Sequence, residues 1–332
     1  MNVSGLLRDP HGRRIDYLRL SVTNHCNLRC VYCLPAQGVA GSAAEELLSD
    51  EEIARLVRVA VNMGIDKIRI TGGEPLVRPG IVNLIGTVAA VPGLKDISLS
   101  TNGMLLSKMA EDLRRAGLAR VNISLDTLRP ERFTEIARRR GLEDVVPGIR
   151  TALDVGFSPV KINVVVMNGV NSDEIPDFVA LTRRLPVHVR FIELMPIGET
   201  GFFNSRRWLP LREIQARCGP LEPLSPAAQP IGFGPAIYFK SPAALGSVGF
   251  ISAMSCNFCS RCNRLRLTAK GRLLPCLASE IGLDLGSAFR AGADDADIAA
   301  LIRQVVAVKP ERHQMESDGS KVRESFMCSL GG

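Results

Sequence analysis

The stretch Ser49-Asp-Glu-Glu-Ile-Ala-Arg-Leu-Val-Arg-Val-Ala-Val-Asn-Met-Gly64-Ile-Asp-Lys-Ile-Arg-Ile-Thr71-Gly-Gly-Glu-Pro75 holds one helix, one strand and the loop that follows them. Ile53, Leu56, Val57, Ala60 and Val61 recur at helical spacing. Ser49 and Glu52 make a capping-box pair at the start, and Gly64 marks the stop. A short strand is expected over 67–71. Working outward, strands are expected over 17–22, 95–100, 119–125, 160–166 and 187–192, and further helices over 105–116, 130–139, 145–155 and 173–185. Strands alternating with helices imply a parallel sheet with right-handed crossovers. Six such repeats fit a doubly wound sheet or an open barrel. The Gly-x-Gly-x-x-Gly fingerprint of the doubly wound class is absent after the first strand. The expected fold is therefore α/β, a partial (β/α)6 TIM-type barrel over 1–195, with its chemistry where strands end and loops begin. From 196 to 332 the composition shifts. Gly, Pro and Ser mark loops at 198–204 and 221–235, and short strands follow at 236–240 and 246–252. A hairpin at 264–268 and 272–275 turns at Ala269-Lys270-Gly271, and helices are expected at 283–291 and 296–306.

Composition narrows the classes. The 332 residues are 46% hydrophobic and 23% charged, which is too apolar for general disorder. No apolar run reaches the roughly 18 residues of a membrane span. Residues 1–14 are polar, with Arg8, Arg13 and Arg14 but no apolar stretch after them, so a cytoplasmic protein is expected. A net charge of +7 favours an anionic partner. Aromatic content of 5%, without clustering, offers few platforms for stacking nucleic-acid bases. Nine cysteines are unusual, and six lie in two tight groups, which points to metal or cluster ligation.

Cys26, Cys30 and Cys33 follow the first strand with spacing C-x3-C-x2-C. Three thiolates on a short loop can hold three corners of a four-iron cluster and leave the fourth iron open. Zinc with His25 is the alternative that spacing alone leaves standing. At the end of the second strand, Gly72-Gly73 permits close approach to the backbone, and Glu74 can accept from an ammonium group. Taken together, the cysteine loop with Tyr32 before its last cysteine and the Gly72-Gly73-Glu74-Pro75 motif resemble the radical S-adenosylmethionine (SAM) superfamily. That resemblance implies a [4Fe-4S] cluster on Cys26, Cys30 and Cys33. Its open iron would bind the amino and carboxylate groups of SAM, which is then cleaved to methionine and a 5′-deoxyadenosyl radical.

Cys259, Cys262 and Cys276 have spacing C-x2-C-x13-C, and the hairpin brings their ends together. Spacing leaves zinc and a cluster equally open here, with Cys256 as a possible fourth ligand. The surroundings resemble the GTP 3′,8-cyclase family, also called molybdenum-cofactor biosynthesis protein A. The likeness rests on Phe258-Cys-Ser-Arg-Cys-Asn-Arg-Leu-Arg-Leu-Thr-Ala-Lys-Gly-Arg272 and Cys276-Leu277. It extends through Leu18-Arg-Leu-Ser-Val-Thr23, Ile68-Arg-Ile-Thr-Gly-Gly-Glu-Pro-Leu76, Ser100-Thr-Asn-Gly103, Asn122-Ile-Ser-Leu-Asp126, Arg190-Phe-Ile-Glu-Leu-Met-Pro196 and Gly331-Gly332. The family resemblance implies abstraction of hydrogen from ribose C3′ of GTP and attack of the carbon radical on C8. The product would be 3′,8-cyclo-7,8-dihydroguanosine triphosphate, in the first step of molybdenum cofactor biosynthesis. It implies a second [4Fe-4S] cluster on Cys259, Cys262 and Cys276 that contacts the guanine. Matching positions implies SAM contacts by Tyr32, Gly73, Glu74, Ser124 and Met195, and GTP contacts by Arg19, Arg69, Ser100, Lys161, Arg264, Leu265 and Arg266. Arg264 and Arg266 share one face of their strand, and guanidinium forks suit phosphate oxygens.

The terminal Gly331-Gly332 reads either as a frayed end or, by the resemblance, as a tail that enters the site. The same resemblance implies an electron donor, a cyclic pyranopterin monophosphate synthase that accepts the product, and a homodimer. Cys256 departs from the family pattern, and Cys218 and Cys328 read as buried thiols. Three competing readings are a two-cluster radical SAM enzyme acting on a peptide, a zinc-dependent nucleic-acid binder and a sulfur carrier ending in Gly-Gly.

Overall fold

The computed structural model describes residues 6–38, 46–198, 200–318 and 325–331. The first half runs β1 (Tyr17–Ser21), α1 (Asp50–Asn62), β2 (Lys67–Thr71), α2 (Ile81–Ala89), β3 (Asp96–Thr101), α3 (Leu106–Arg115), β4 (Arg120–Ser124), α4 (Pro130–Ala137), α5 (Leu142–Asp154), β5 (Val160–Val166), α6 (Ile175–Arg184) and β6 (His188–Glu193). The second half runs α7 (Leu211–Ala216), β7 (Glu222–Pro223), β8 (Ile237–Lys240), β9 (Ser247–Ile251), β10 (Arg264–Leu267), β11 (Arg272–Leu274), β12 (Leu283–Asp284), α8 (Leu285–Arg290) and α9 (Asp295–Ala307).

Strands β1 to β6 lie side by side and parallel, each joined to the next through at least one helix. The six-repeat partial barrel is thus present. The later residues extend it at both margins: β10 pairs in parallel with β1, and β9 in parallel with β6. Antiparallel β11 and β12 continue beyond β10, and β8 and β7 beyond β9. Covering β1 and β6 in this way satisfies backbone groups that an open edge would leave unpaired.

Helix α1 has the expected capping box, with Ser49 N donating to Glu52 Oε2 at 2.8 Å and Glu52 N to Ser49 Oγ at 3.2 Å. Several helices differ from their expected bounds, and α5 begins three residues early, at Leu142. The helix expected to 139 ends at Ala137, where Arg138 takes φ 53°. Leu283 and Asp284 pair with β11 before α8 begins, because the Asp284 carboxylate accepts from Ser287 N as an N-cap. Helices α2 and α7 were not expected. Neither start carries a side-chain cap, since Gly80 and Pro210 stand there.

The strands alternate in a way that parallel strands covered on both faces do not. Leu18, Leu20, Ile68, Ile70, Val121 and Ile123 are at most 1% exposed and belong to the aliphatic core. Their neighbours Arg19, Arg69, Ser100, Asn163 and Arg190 face the barrel interior and line a cavity. Layered aliphatic side chains fill the interior of an ordinary TIM barrel. Here polar and cationic groups line it instead.

Candidate active site

The cavity opens at the C-terminal ends of the parallel strands, and both cysteine triads line it. Cys26, Cys30 and Cys33 sit on the loop after β1. Gly73 N donates to Thr23 O at 2.7 Å, and Glu74 N to His25 O at 2.8 Å, which seats that loop against the end of β2. A Cβ on Gly73 would lie 2.3 Å from His25 O, and one on Gly72 2.6 Å from Thr23 O. The glycine pair is therefore required by the chain's own cysteine loop, and both glycines also line the cavity. Glu74 is 1% exposed and does not line the cavity. Its carboxylate accepts from Thr101 Oγ1 at 2.8 Å, Asn102 N at 2.6 Å and Leu76 N at 3.0 Å, and burial pushes its pKa up to about 7. Tyr32 donates to Asp126 Oδ2 at 2.7 Å, and Val165 N to Asp126 Oδ1 at 2.8 Å. Burial pushes the Asp126 carboxyl up to about 6.

Cys259 and Cys262 precede β10, and Cys276 follows β11, so the hairpin joins the second triad. Arg13 reaches across from the N-terminus and donates to Cys259 O at 2.7 Å and Pro310 O at 2.7 Å. The two triads differ electrostatically. Burial raises the Cys26 thiol to about 11 and drives Cys30 and Cys33 upward as well. Burial also opposes ionisation of Cys262, but Arg264 and Lys309 outweigh it and hold that thiol down at about 6. Among the described residues, no group of three or more His, Cys, Asp or Glu is arranged to hold a single metal ion.

The predicted anion-binding residues converge on the same cavity. Arg19, Arg69, Ser100, Arg264 and Arg266 all line it, as do Tyr32, Gly73, Ser124 and Met195. Arg19 is held well below its ordinary value by burial, then by Arg266 and Arg69, so several cations crowd one space. Arg19 Nε and Arg266 Nη1 each donate to the Gly331 carbonyl at 3.2 Å. Gly331 takes φ 75°, and a Cβ there would lie 2.8 Å from Thr71 Oγ1, so glycine suits this position. Gly332 lies outside the described residues.

Besides Glu74, two predicted residues stand apart from the cavity. Lys161 is 2% exposed at the barrel floor, donates to Ile231 O at 2.6 Å and does not line the cavity. Burial first, then Arg190, Arg120 and Arg69, lower its pKa to about 6. The Leu265 side chain is buried in the aliphatic core. Cys256 is exposed and off the cavity, Cys218 is buried in the core, and Cys328 is buried on the cavity wall.

Sequence reasoning missed Tyr17, Asn163, Arg190 and Asp126, all of which line the cavity. Their signal was the alternation of polar and aliphatic residues along the strands. Tyr17 Oη, Thr71 Oγ1, Asn163 Oδ1 and Arg190 Nε are buried there without a hydrogen-bond partner among the described residues. Orphaned donors and acceptors of this kind call for a polar occupant. The residues present thus fit a cluster with SAM at one end of the cavity and an anionic, hydrogen-bonding molecule beyond it.

Residues 20–182 match the Radical SAM superfamily, and residues 187–315 match Molybdenum Cofactor Synthesis C. The chain is 49% identical to the GTP 3′,8-cyclase of Pelotomaculum thermopropionicum, over 98% of this chain and 100% of that one. It is 49% identical to the GTP 3′,8-cyclase of Moorella thermoacetica, again over 98% and 100%. The solved structure of Streptococcus suis SuiB bound to S-adenosylmethionine superposes with a TM-score of 0.63 at 16% identity, over 88% of this chain and 69% of that one. This last likeness concerns the fold.

Proposed function

The chain belongs to the GTP 3′,8-cyclase family of radical SAM enzymes, and from that premise we propose that it converts GTP to 3′,8-cyclo-7,8-dihydroguanosine triphosphate using two [4Fe-4S] clusters. The observation that carries this reading is the single cavity shared by two cysteine triads, the arginines and the orphaned polar atoms. Cys26, Cys30 and Cys33 would hold the cluster that binds SAM, and Cys259, Cys262 and Cys276 would hold a second cluster on the substrate side of the cavity. SAM bound there supplies a radical able to abstract the hydrogen at ribose C3′.

The chain's own residues bind, orient and exclude water. The Tyr32–Asp126 hydrogen bond fixes the ring before Cys33. Arg19, Arg69, Arg264 and Arg266 neutralise the triphosphate with charged forks. Ser100 and Ser124 add hydroxyls at the ends of β3 and β4, and Met195 closes the wall after β6. Glu74 braces the loops that carry SAM, and Lys161 supports the floor beneath the phosphates. The Gly331 carbonyl is held between Arg19 and Arg266, which brings the tail to the site. Residues 1–195 carry the SAM half, and residues 196–332 carry the second triad and the tail. The product passes to a cyclic pyranopterin monophosphate synthase, and electrons come from a donor protein in the cytoplasm, with the enzyme working as a homodimer.

The test is anaerobic reconstitution with SAM, a strong reductant and GTP, followed by assay of 5′-deoxyadenosine and cyclised GTP. Both products are expected, with deoxyadenosine dependent on GTP. Deoxyadenosine without a GTP-derived product would move the chain to another substrate.

A further inference from the structure

Lys309 lies just beyond α9 and is 3% exposed. Its ammonium donates to Arg264 O at 2.8 Å and to Pro275 O at 2.5 Å. These carbonyls stand two residues after Cys262 and one before Cys276, so one side chain bridges both arms of the second triad. The charged or ionisable groups that face it are the Cys262 and Cys276 thiols and the cations of Arg13 and Arg264. Arg13 has its own carboxylate in Asp9, at 2.5 Å. Among the described residues, no carboxylate forms an ion pair with Lys309.

A buried ammonium held only by neutral oxygens is costly unless negative charge sits beside it. Three thiolates against a four-iron core leave about one net negative charge, and reduction adds about one more. A nearby fixed cation stabilises the reduced form more than the oxidised form, because the attraction grows with the charge.

We infer that Lys309 is a positioning residue for the second cluster: its ammonium ties the Arg264 and Pro275 carbonyls together and supplies the counter-charge that raises the cluster's reduction potential. This rests on the second-cluster reading above.

The experiment uses full-length protein with Cys26, Cys30 and Cys33 replaced by Ala, so that the second cluster alone reports. Iron is counted after anaerobic reconstitution, and the potential is read by a redox titration followed by electron paramagnetic resonance. In the Lys309→Met variant the midpoint is expected to move to more negative potential with the iron count unchanged, and Lys309→Arg is expected to restore it. An unchanged midpoint in Lys309→Met, with its cluster intact, overturns the inference. If Lys309→Met takes up no cluster, uptake by Lys309→Arg but not by Lys309→Gln supports the counter-charge, and failure of Lys309→Arg overturns it. Absence of iron before any change at Lys309 overturns the second-cluster reading itself, which separates the two failures.

Discussion

Arg266 shows how much work one side chain does at the cavity wall. It is 6% exposed, lines the cavity and holds the tail carbonyl of Gly331. Charged hydrogen bonds are worth about 1.5–3 kcal/mol, so Arg266→Ala is expected to weaken GTP binding by about 10- to 100-fold with iron content unchanged. Isothermal titration calorimetry beside an iron assay checks this. His188 carries the pH prediction. Burial first, then Lys161 and Arg190, lowers its pKa to about 4, and its Nδ1 lies 2.8 Å from Ser247 Oγ. As pH falls below about 6.5 the unfolded chain takes up this proton while the folded chain does not. Stability is therefore lost between about 6.5 and 4, by about 2–3 kcal/mol from this group. Urea midpoints at pH 7 and pH 4 should differ less in His188→Gln than in the parent. Equal pH dependence in the two proteins would remove His188 as a source of the acid sensitivity.

At the scale of elements, the loop after β1 and the end of β2 form one unit. Their contact admits no Cβ at position 73, and overpacking typically costs about 1–3 kcal/mol. Gly73→Ala is expected to displace the His25 carbonyl and with it the Cys26 side of the first triad. The measurable result is lower iron uptake at the first site, with the second retained, in protein that still unfolds cooperatively. Full uptake at both sites would mean that the loop moves without harm. The α1 capping box is a local counterpart. Ser49→Ala is expected to cost about 1 kcal/mol in thermal or urea unfolding and to leave GTP affinity unchanged.

Across the whole molecule, the two ends of the chain meet at the site. Arg13 near the N-terminus clasps the second triad, while Gly331 near the C-terminus lies between Arg19 and Arg266. Removing Gly331 and Gly332 is expected to abolish cyclised product with both clusters still assembled. Turnover at the parent rate in the truncated protein would exclude a role for the tail. The second half of the chain also closes the sheet margins, since β9 and β10 complete the cavity wall on either side of β1 to β6.

Local rules were enough to read the β/α alternation, the α1 cap and the spacing of both cysteine triads, because each depends on residues close together in the chain. The alternation of Arg19, Arg69 and Asn163 with aliphatic neighbours was also legible, though it takes a closed sheet to turn one face into a cavity. Tertiary structure decided which distant residues share that cavity. It joined Tyr32 to Asp126, Lys309 to both arms of the second triad, and Gly331 to two arginines on adjacent strands. These contacts span 45 to 312 positions of sequence, apart from the short link from Lys309 to Pro275, and no local periodicity encodes them. Tertiary structure also packed the glycine pair against the cysteine loop and turned Glu74 away from the cavity, since both follow from how closely two backbones pack.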